Sequence, residues 1–200
     1  MKDPIQDLLK RCTAINDNAR KDEAKNMWRN LRLVPETVAI LKTMPLEGET
    51  KAKDQIEVLS LMLECVDELN IPRQVLDIRQ YQLSLFDKLA EGEVPEEVTR
   101  EEVEKDITRL EDYIAIDTEA MMRAWCKTYE KLLLFDPVEC SKEWENCIYE
   151  VEEEVAKELK DTPRCMGFCF EYWAALRSAM NKRGIEWRSP HIMNPRVMFD

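Results

Sequence analysis

The sequence predicts an all-α protein: a single domain over residues 1–200, with a bundle of six to eight helices over 1–183 and a non-helical tail over 184–200. Three observations predict it. Apolar side chains recur at spacings of three and four through almost the whole chain, the period of a helix with one buried face. Three segments carry a capping box, Asp3-Pro4-Ile5-Gln6, Thr99-Arg100-Glu101-Glu102 and Asp136-Pro137-Val138-Glu139, in which a side-chain oxygen meets an orphan backbone N–H of the first turn. Hydrophobic residues make up 44% of the chain, with five Trp, five Tyr and five Phe. That is enough apolar material to offset an ordering entropy of roughly 1 to 2 kcal/mol per residue.

The first helix starts at Pro4, with Ile5, Leu8, Leu9, Cys12 and Ile15 along one face, and Lys21 to Leu33 is a second, mostly polar helical stretch around Trp28. Pro35 and Pro45 bracket a short apolar turn, Val38 to Met44. From about Thr50 to Leu69, Ile56, Leu59, Leu63 and Val66 form one row and Val58, Met62, Cys65 and Leu69 the next, leaving Glu57, Glu64, Asp67 and Glu68 outside. Asn70-Ile71-Pro72 ends that core-facing helix, and Val75, Leu76, Leu83, Phe86 and Leu89 carry an antiparallel partner to a stop near Gly92. The stripe from Val103 through Leu110, Ile114, Met121 and Trp125 to Phe135 is one helix of about 50 Å, or two divided at Asp117. The Asp136 box opens a helix with Trp144, Ile148, Val151 and Val155 on one side and a strongly acidic opposite face. The last helix, Pro163 to Arg183, is apolar over so wide an arc that it is expected at the centre of the bundle, nearly surrounded.

Missing residues exclude several chemistries. The four glycines, Gly48, Gly92, Gly167 and Gly184, are too scattered for a phosphate cradle, which needs clustered glycines to bring backbone N–H groups onto phosphate. A single histidine, His191, rules out two-histidine zinc helices and paired Glu-x-x-His di-iron motifs. No apolar run exceeds five residues, against the ~18 of a membrane helix, and the N-terminus, with Asp3, Pro4 and Asp7, is not expected to be a signal peptide. Seven scattered cysteines in apolar stripes fit reduced core thiols, so the expected compartment is the cytoplasm.

The net charge of −12 is unevenly distributed: residues 1–33 and 176–200 each carry +3, and residues 34–175 carry −18. Such a body repels phosphates and disfavours nucleic acid. Lys21, Lys25, Arg29 and Arg32 are expected to line one helical face beside Trp28, which suits phosphate and stacking contacts, but a solvated or self-paired face is the simpler expectation.

Few groups could carry chemistry. Glu64, Asp67 and Glu68, at i, i+3 and i+4 of a helix, could hold a divalent metal ion. Cys165 and Cys169 could share a zinc ion with Cys140, Cys147 or His191, yet they sit among Phe168, Tyr172 and Trp173, which suits core packing better. A cysteine nucleophile would need His191 as its base, and Glu171 falls on a small polar strip beside Ser178 and Lys182. The tail differs in kind: seven of the seventeen residues from Gly184 to Asp200 are apolar or aromatic, at a terminus that ordinarily frays. It is expected to dock on its own bundle or on a partner, and Trp187, Arg188, His191, Met193, Arg196 and Phe199 are the expected partner-binding residues.

These features favour a non-enzymatic interaction or assembly protein, with no cofactor, whose partner is another protein or a second copy of itself, as in a homodimer. The alternative is a divalent-metal-dependent nucleotide or phosphoester hydrolase using Glu64, Asp67 and Glu68.

Overall fold

The computed structural model describes residues 4–21 and 25–199. Within them the chain is all-helical, with no strand: eight α-helices of ten residues or more, one single-turn α-helix and short 3₁₀ turns. Asp3, the expected cap of the first helix, and residues 22–24 of the polar stretch lie outside the described residues. The chain divides into two compact units, Met1–Glu111 and Asp112–Asp200.

In the first unit, α1 (Pro4–Arg20) packs on α2 (Asn30–Leu41), α3 (Ala52–Leu63) packs on α4 (Pro72–Phe86), and α2 meets both α3 and α4. The expected turn between Pro35 and Pro45 is instead the second half of α2, with Pro35 inside the helix. An interior proline costs about 3 kcal/mol. Burial of Leu31, Val34, Val38 and Leu41 offsets it, each being 3% exposed or less.

The helix expected to run to Leu69 ends at Leu63. Asn30, fully buried on α2, donates Nδ2 to the carbonyls of Ile15 (2.9 Å) and Cys65 (2.7 Å), while its Oδ1 accepts from Asn18 (2.9 Å). Its tie to Cys65 pins the chain just after α3. Asp67 then turns its carboxylate onto the Leu69 N–H and caps a 3₁₀ turn, Glu68–Asn70, a local bond that competes with helix continuation. A second buried amide set joins α3 to α4: Gln82 Nε2 donates to the Ile56 carbonyl (2.9 Å) and Ser60 Oγ (2.8 Å), and Tyr81 donates its hydroxyl to Gln55 (2.6 Å). Helix α4 stops at Phe86, before the expected Gly92.

The 100–135 stripe is two helices, α5 (Arg100–Ile114), opened by the Thr99–Glu102 box, and α6 (Glu119–Thr128). Thr118, rather than Asp117, caps α6 by accepting from the Met121 N–H. The helical stripe does not reach Phe135. Glu130 takes a left-handed φ of 53°, and Leu132 beyond it is 96% exposed.

In the second unit Tyr113, Trp125, Tyr129 and Phe135 form a ring cluster with centroids 5.1 to 5.7 Å apart. The Asp136 box is present, but it opens a 3₁₀ turn, Pro137–Cys140. Ser141 supplies a second cap, its Oγ accepting from the Trp144 N–H, and starts α7 (Lys142–Glu158). Helix α7 packs on α8 (Phe168–Asn181).

Helix α8 corrects the expectation of a surrounded central helix over 163–183. It begins five residues late, because Gly167 sits at a φ of +86° that side chains rarely adopt. Only Ala175, Leu176, Ala179 and Met180 on it are buried, while Phe170 is 43% exposed and Met166, ahead of the helix, 84%. The wide apolar arc marks a helix half covered by its neighbours. The tail expected to be non-helical contains one helical turn, α9 (Pro190–Met193).

Candidate interaction surface

The C-terminal segment is built into the second unit by specific contacts. Ile185, Trp187, Ser189, Met193 and Asn194 are all buried. Trp187 packs its ring 5.9 Å from Trp144 and donates Nε1–H to Glu139 at 2.7 Å. Arg188 gives Asp136 its backbone N–H (2.8 Å) and its Nε–H (2.9 Å), and reaches Glu119 through Nη1 (3.4 Å). Asp136 thus serves two ends of the unit, since its other oxygen accepts from the Val138 N–H. The Asp136 and Glu119 carboxylates hold the Arg188 guanidinium above its ordinary pKa, and Arg123 with Arg188 hold the Glu119 carboxyl below its own. Asn194 matches both backbone groups of Leu134, accepting from its N–H (2.9 Å) and donating to its carbonyl (2.7 Å).

Of the six residues expected to meet a partner, Trp187 and Met193 face inward, and Arg188 is tied down on Asp136. His191 sets its ring edge-on to Phe170 at 5.7 Å, Phe199 sets its own edge-on to Trp173 at 5.1 Å, and Arg196 is exposed. Phe170 and Trp173 are themselves edge to face at 5.5 Å, so a row of rings crosses the tail and the first turns of α8. Beside this row Ile192 (42%), Val197 (45%) and Met198 (94%) point their apolar side chains outward. Sequence reasoning placed Phe170 and Met166 in the core and did not single out Ile192, Val197 or Met198. The signal present in the sequence was Gly167, which breaks the helix and leaves the residues before it outside.

The other constellations are dispersed. Glu64 lies past the end of α3, Asp67 caps the 3₁₀ turn, and Glu68 pairs with Arg109 Nη2 at 2.8 Å, so the three carboxylates do not share a helical face. Among the described residues, no group of three or more His, Cys, Asp or Glu side chains is placed to hold a metal ion. Cys165 is exposed ahead of α8, while Cys169 lies on its first turn. Burial pushes the Cys12, Cys65, Cys126 and Cys147 thiols up, which disfavours thiolate at neutral pH. His191 faces Ser189 Oγ and the Phe170 ring. Glu171 is exposed. The basic row does not form: Lys21 follows α1 and pairs with Asp17 at 2.7 Å, Arg29 sits in a 3₁₀ turn, and Arg32 is on α2. On α7, Glu145 and Glu152 are buried despite the acidic face expected there, and Glu152 accepts the Tyr172 hydroxyl.

A cleft of about 380 Å³ between α2 and α4 has an apolar floor of Pro35, Val38, Ala39 and Ile78. Lys42 closes one side, bonded to Asp77 at 2.6 Å and seated over the Tyr81 ring. Among the described residues no helix is long and apolar enough to cross a membrane. Compared with protein-family models, with curated proteins and with solved structures, the chain matches none.

Proposed function

We propose that this chain is a non-enzymatic protein–protein interaction or assembly protein, and that its C-terminal segment with the start of α8 forms the contact surface. The observation that carries this reading is the division of labour within the segment. Trp187, Met193 and Asn194 anchor it to its own unit, while Phe170, Ile192, Val197 and Met198 stay exposed around an ordered row of rings. A contiguous apolar patch on a fixed framework is the usual form of a docking site, because contact then releases water without a large ordering cost. The exposed Met166 and Met198 add adaptable contact area. The buried thiols behave as small core side chains, in keeping with a reducing compartment such as the cytoplasm.

The test is affinity capture with the wild-type chain and with an Ile192→Asp, Met198→Asp variant, followed by reconstitution of any captured complex from purified proteins. The reading expects a complex that reassembles with the wild type and is lost with the variant. A complex indifferent to the variant, or metal-dependent turnover of a nucleotide by the purified chain, would overturn it.

A further inference from the structure

Resting on the reading of this surface as a docking site, we infer that its partner is an acidic amphipathic helix, a segment that presents large apolar side chains flanked by carboxylates. The charge of the region points there. Residues 164–199 carry six basic and two acidic side chains, within a chain whose net charge is −12. In the second unit Arg123, Arg183 and Arg188 each have a carboxylate, on Glu119, Glu154 and Asp136 respectively. Arg164, Arg177 and Arg196 have no carboxylate within ion-pair distance among the described residues, although acidic side chains outnumber basic ones in the chain.

Arg177 and Arg196 border the apolar patch, and Arg164 lies two residues before the exposed Met166. Arg164 lies 5.1 Å over the Phe168 ring, at the entry to α8. Arg177 follows Phe170 and Trp173 at i+7 and i+4, on the face of α8 that carries the ring row. Its Nε–H is buried and has no hydrogen-bond partner, a donor that costs stability until an acceptor arrives. Arg196 directly precedes the exposed Val197 and Met198. Glu171, the acidic side chain nearest in sequence to Phe170, falls on the strip of Ala174 and Ser178, away from the rings. The surface therefore offers an apolar centre and a guanidinium rim, to which carboxylates bind with directional, charge-assisted bonds. A second copy docking through the same patch would set arginine against arginine, which argues for a different chain. A helical partner suits a surface made of helix and turn, because no strand edge is present among the described residues to pair with an extended segment.

The experiment uses the full chain and three labelled peptides of about five helical turns. One carries leucines on one face and glutamates elsewhere, one has lysines in place of the glutamates, and one has the leucines replaced by serines. Binding is read by fluorescence anisotropy at about 0.05 and about 0.3 M salt. The glutamate–leucine peptide is expected to bind, and to weaken about tenfold in high salt and again about tenfold with Arg164→Glu, Arg196→Glu. Those two side chains are exposed, so circular dichroism of the variant should match the wild type. Lysine–leucine binding that equals or exceeds it and falls with Val197→Asp, Met198→Asp would overturn the acidic partner and leave the docking surface standing. No binding of any peptide, or binding indifferent to both variant pairs, would remove the docking surface as well. A concentration-dependent rise in mass of the chain alone, abolished by Val197→Asp, Met198→Asp, would replace the acidic helix with a second copy.

Discussion

Residues 1–111 and 112–200 use their side chains differently. The first unit ties its helices together with buried polar groups: Asn30 and Gln82 are fully buried and hydrogen-bonded between helices, and Arg79 and Arg109 share Asp106 and Glu68. The second is built on rings, with Trp125, Trp144, Trp173 and Trp187 among them, and among the described residues it holds eight of twelve exposed large hydrophobic side chains in fewer residues. It also keeps three arginines, Arg164, Arg177 and Arg196, with no carboxylate in ion-pair distance among the described residues. Exposed apolar area beside unmatched charge is the combination a partner can use. Under the function proposed above, this difference places the recognition surface in the second unit.

That comparison can be broken or sharpened experimentally. The largest effect is expected from Trp187→Ala, which removes a buried ring and the bond to Glu139. It should destabilise the second unit by about 3 to 5 kcal/mol. Tryptophan fluorescence follows that unit in denaturant, since four of the five tryptophans lie in it. An unchanged midpoint would mean that the tail is not an anchor.

Asn30→Ala should cost about 2 to 4 kcal/mol, because it removes the donor that ties the Ile15 and Cys65 carbonyls together and opens a gap. The loss should appear in the helical circular dichroism signal, and a neutral result would show that these carbonyls are solvated in the native state.

Removing the α7 cap with Ser141→Ala should cost about 1 kcal/mol, measured by the same denaturation.

Met198→Ala, at a side chain 94% exposed, should change stability by less than about 0.5 kcal/mol. A large loss there would turn the docking surface into ordinary core.

A smaller response is expected from acid. Glu93, Glu101, Glu102, Glu119 and Glu154 are all held below the ordinary carboxyl range, chiefly by Lys51, Lys105, Thr99, Arg123 and Arg183. A folded-state pKa below the unfolded one stabilises at higher pH, so that contribution is complete above about pH 5 and disappears as the pH falls through the lowered values. Glu101, Glu102 and Glu119 are exposed and Glu93 and Glu154 half-buried, and added salt should blunt the effect in both units. A thermal-shift panel with magnesium, manganese and zinc, with and without nucleoside triphosphates, is expected to be flat. A ligand at about 100 times its Kd would add about 2.7 kcal/mol, and such a gain would return attention to Glu64, Asp67 and Glu68.

Much of the fold was legible in the sequence. The helical class followed from apolar spacing, and the boxes at Thr99 and Asp136 were readable because a cap is a bond between residues three apart. The unusual apolar content of the tail was legible too, though not which of its side chains face outward. Sequence periodicity carried the metal reading of Glu64, Asp67 and Glu68 only while the helix was assumed to continue.

What the sequence by itself determined is therefore local: helical class, caps, charge distribution and the absence of clustered glycines. The tertiary structure decided the rest, in each case through partners distant in sequence. Asn30 reaches 35 residues to the Cys65 carbonyl as α3 ends, packing holds Pro35 inside a helix, and Asp136 reaches 52 residues to anchor Arg188. The exposure of Phe170 and Met198 and the unmatched Arg177 belong to the same class. Hydrophobic periodicity reports that a face is apolar, but whether that face is covered depends on which other segments arrive there, and no short-range pattern encodes that.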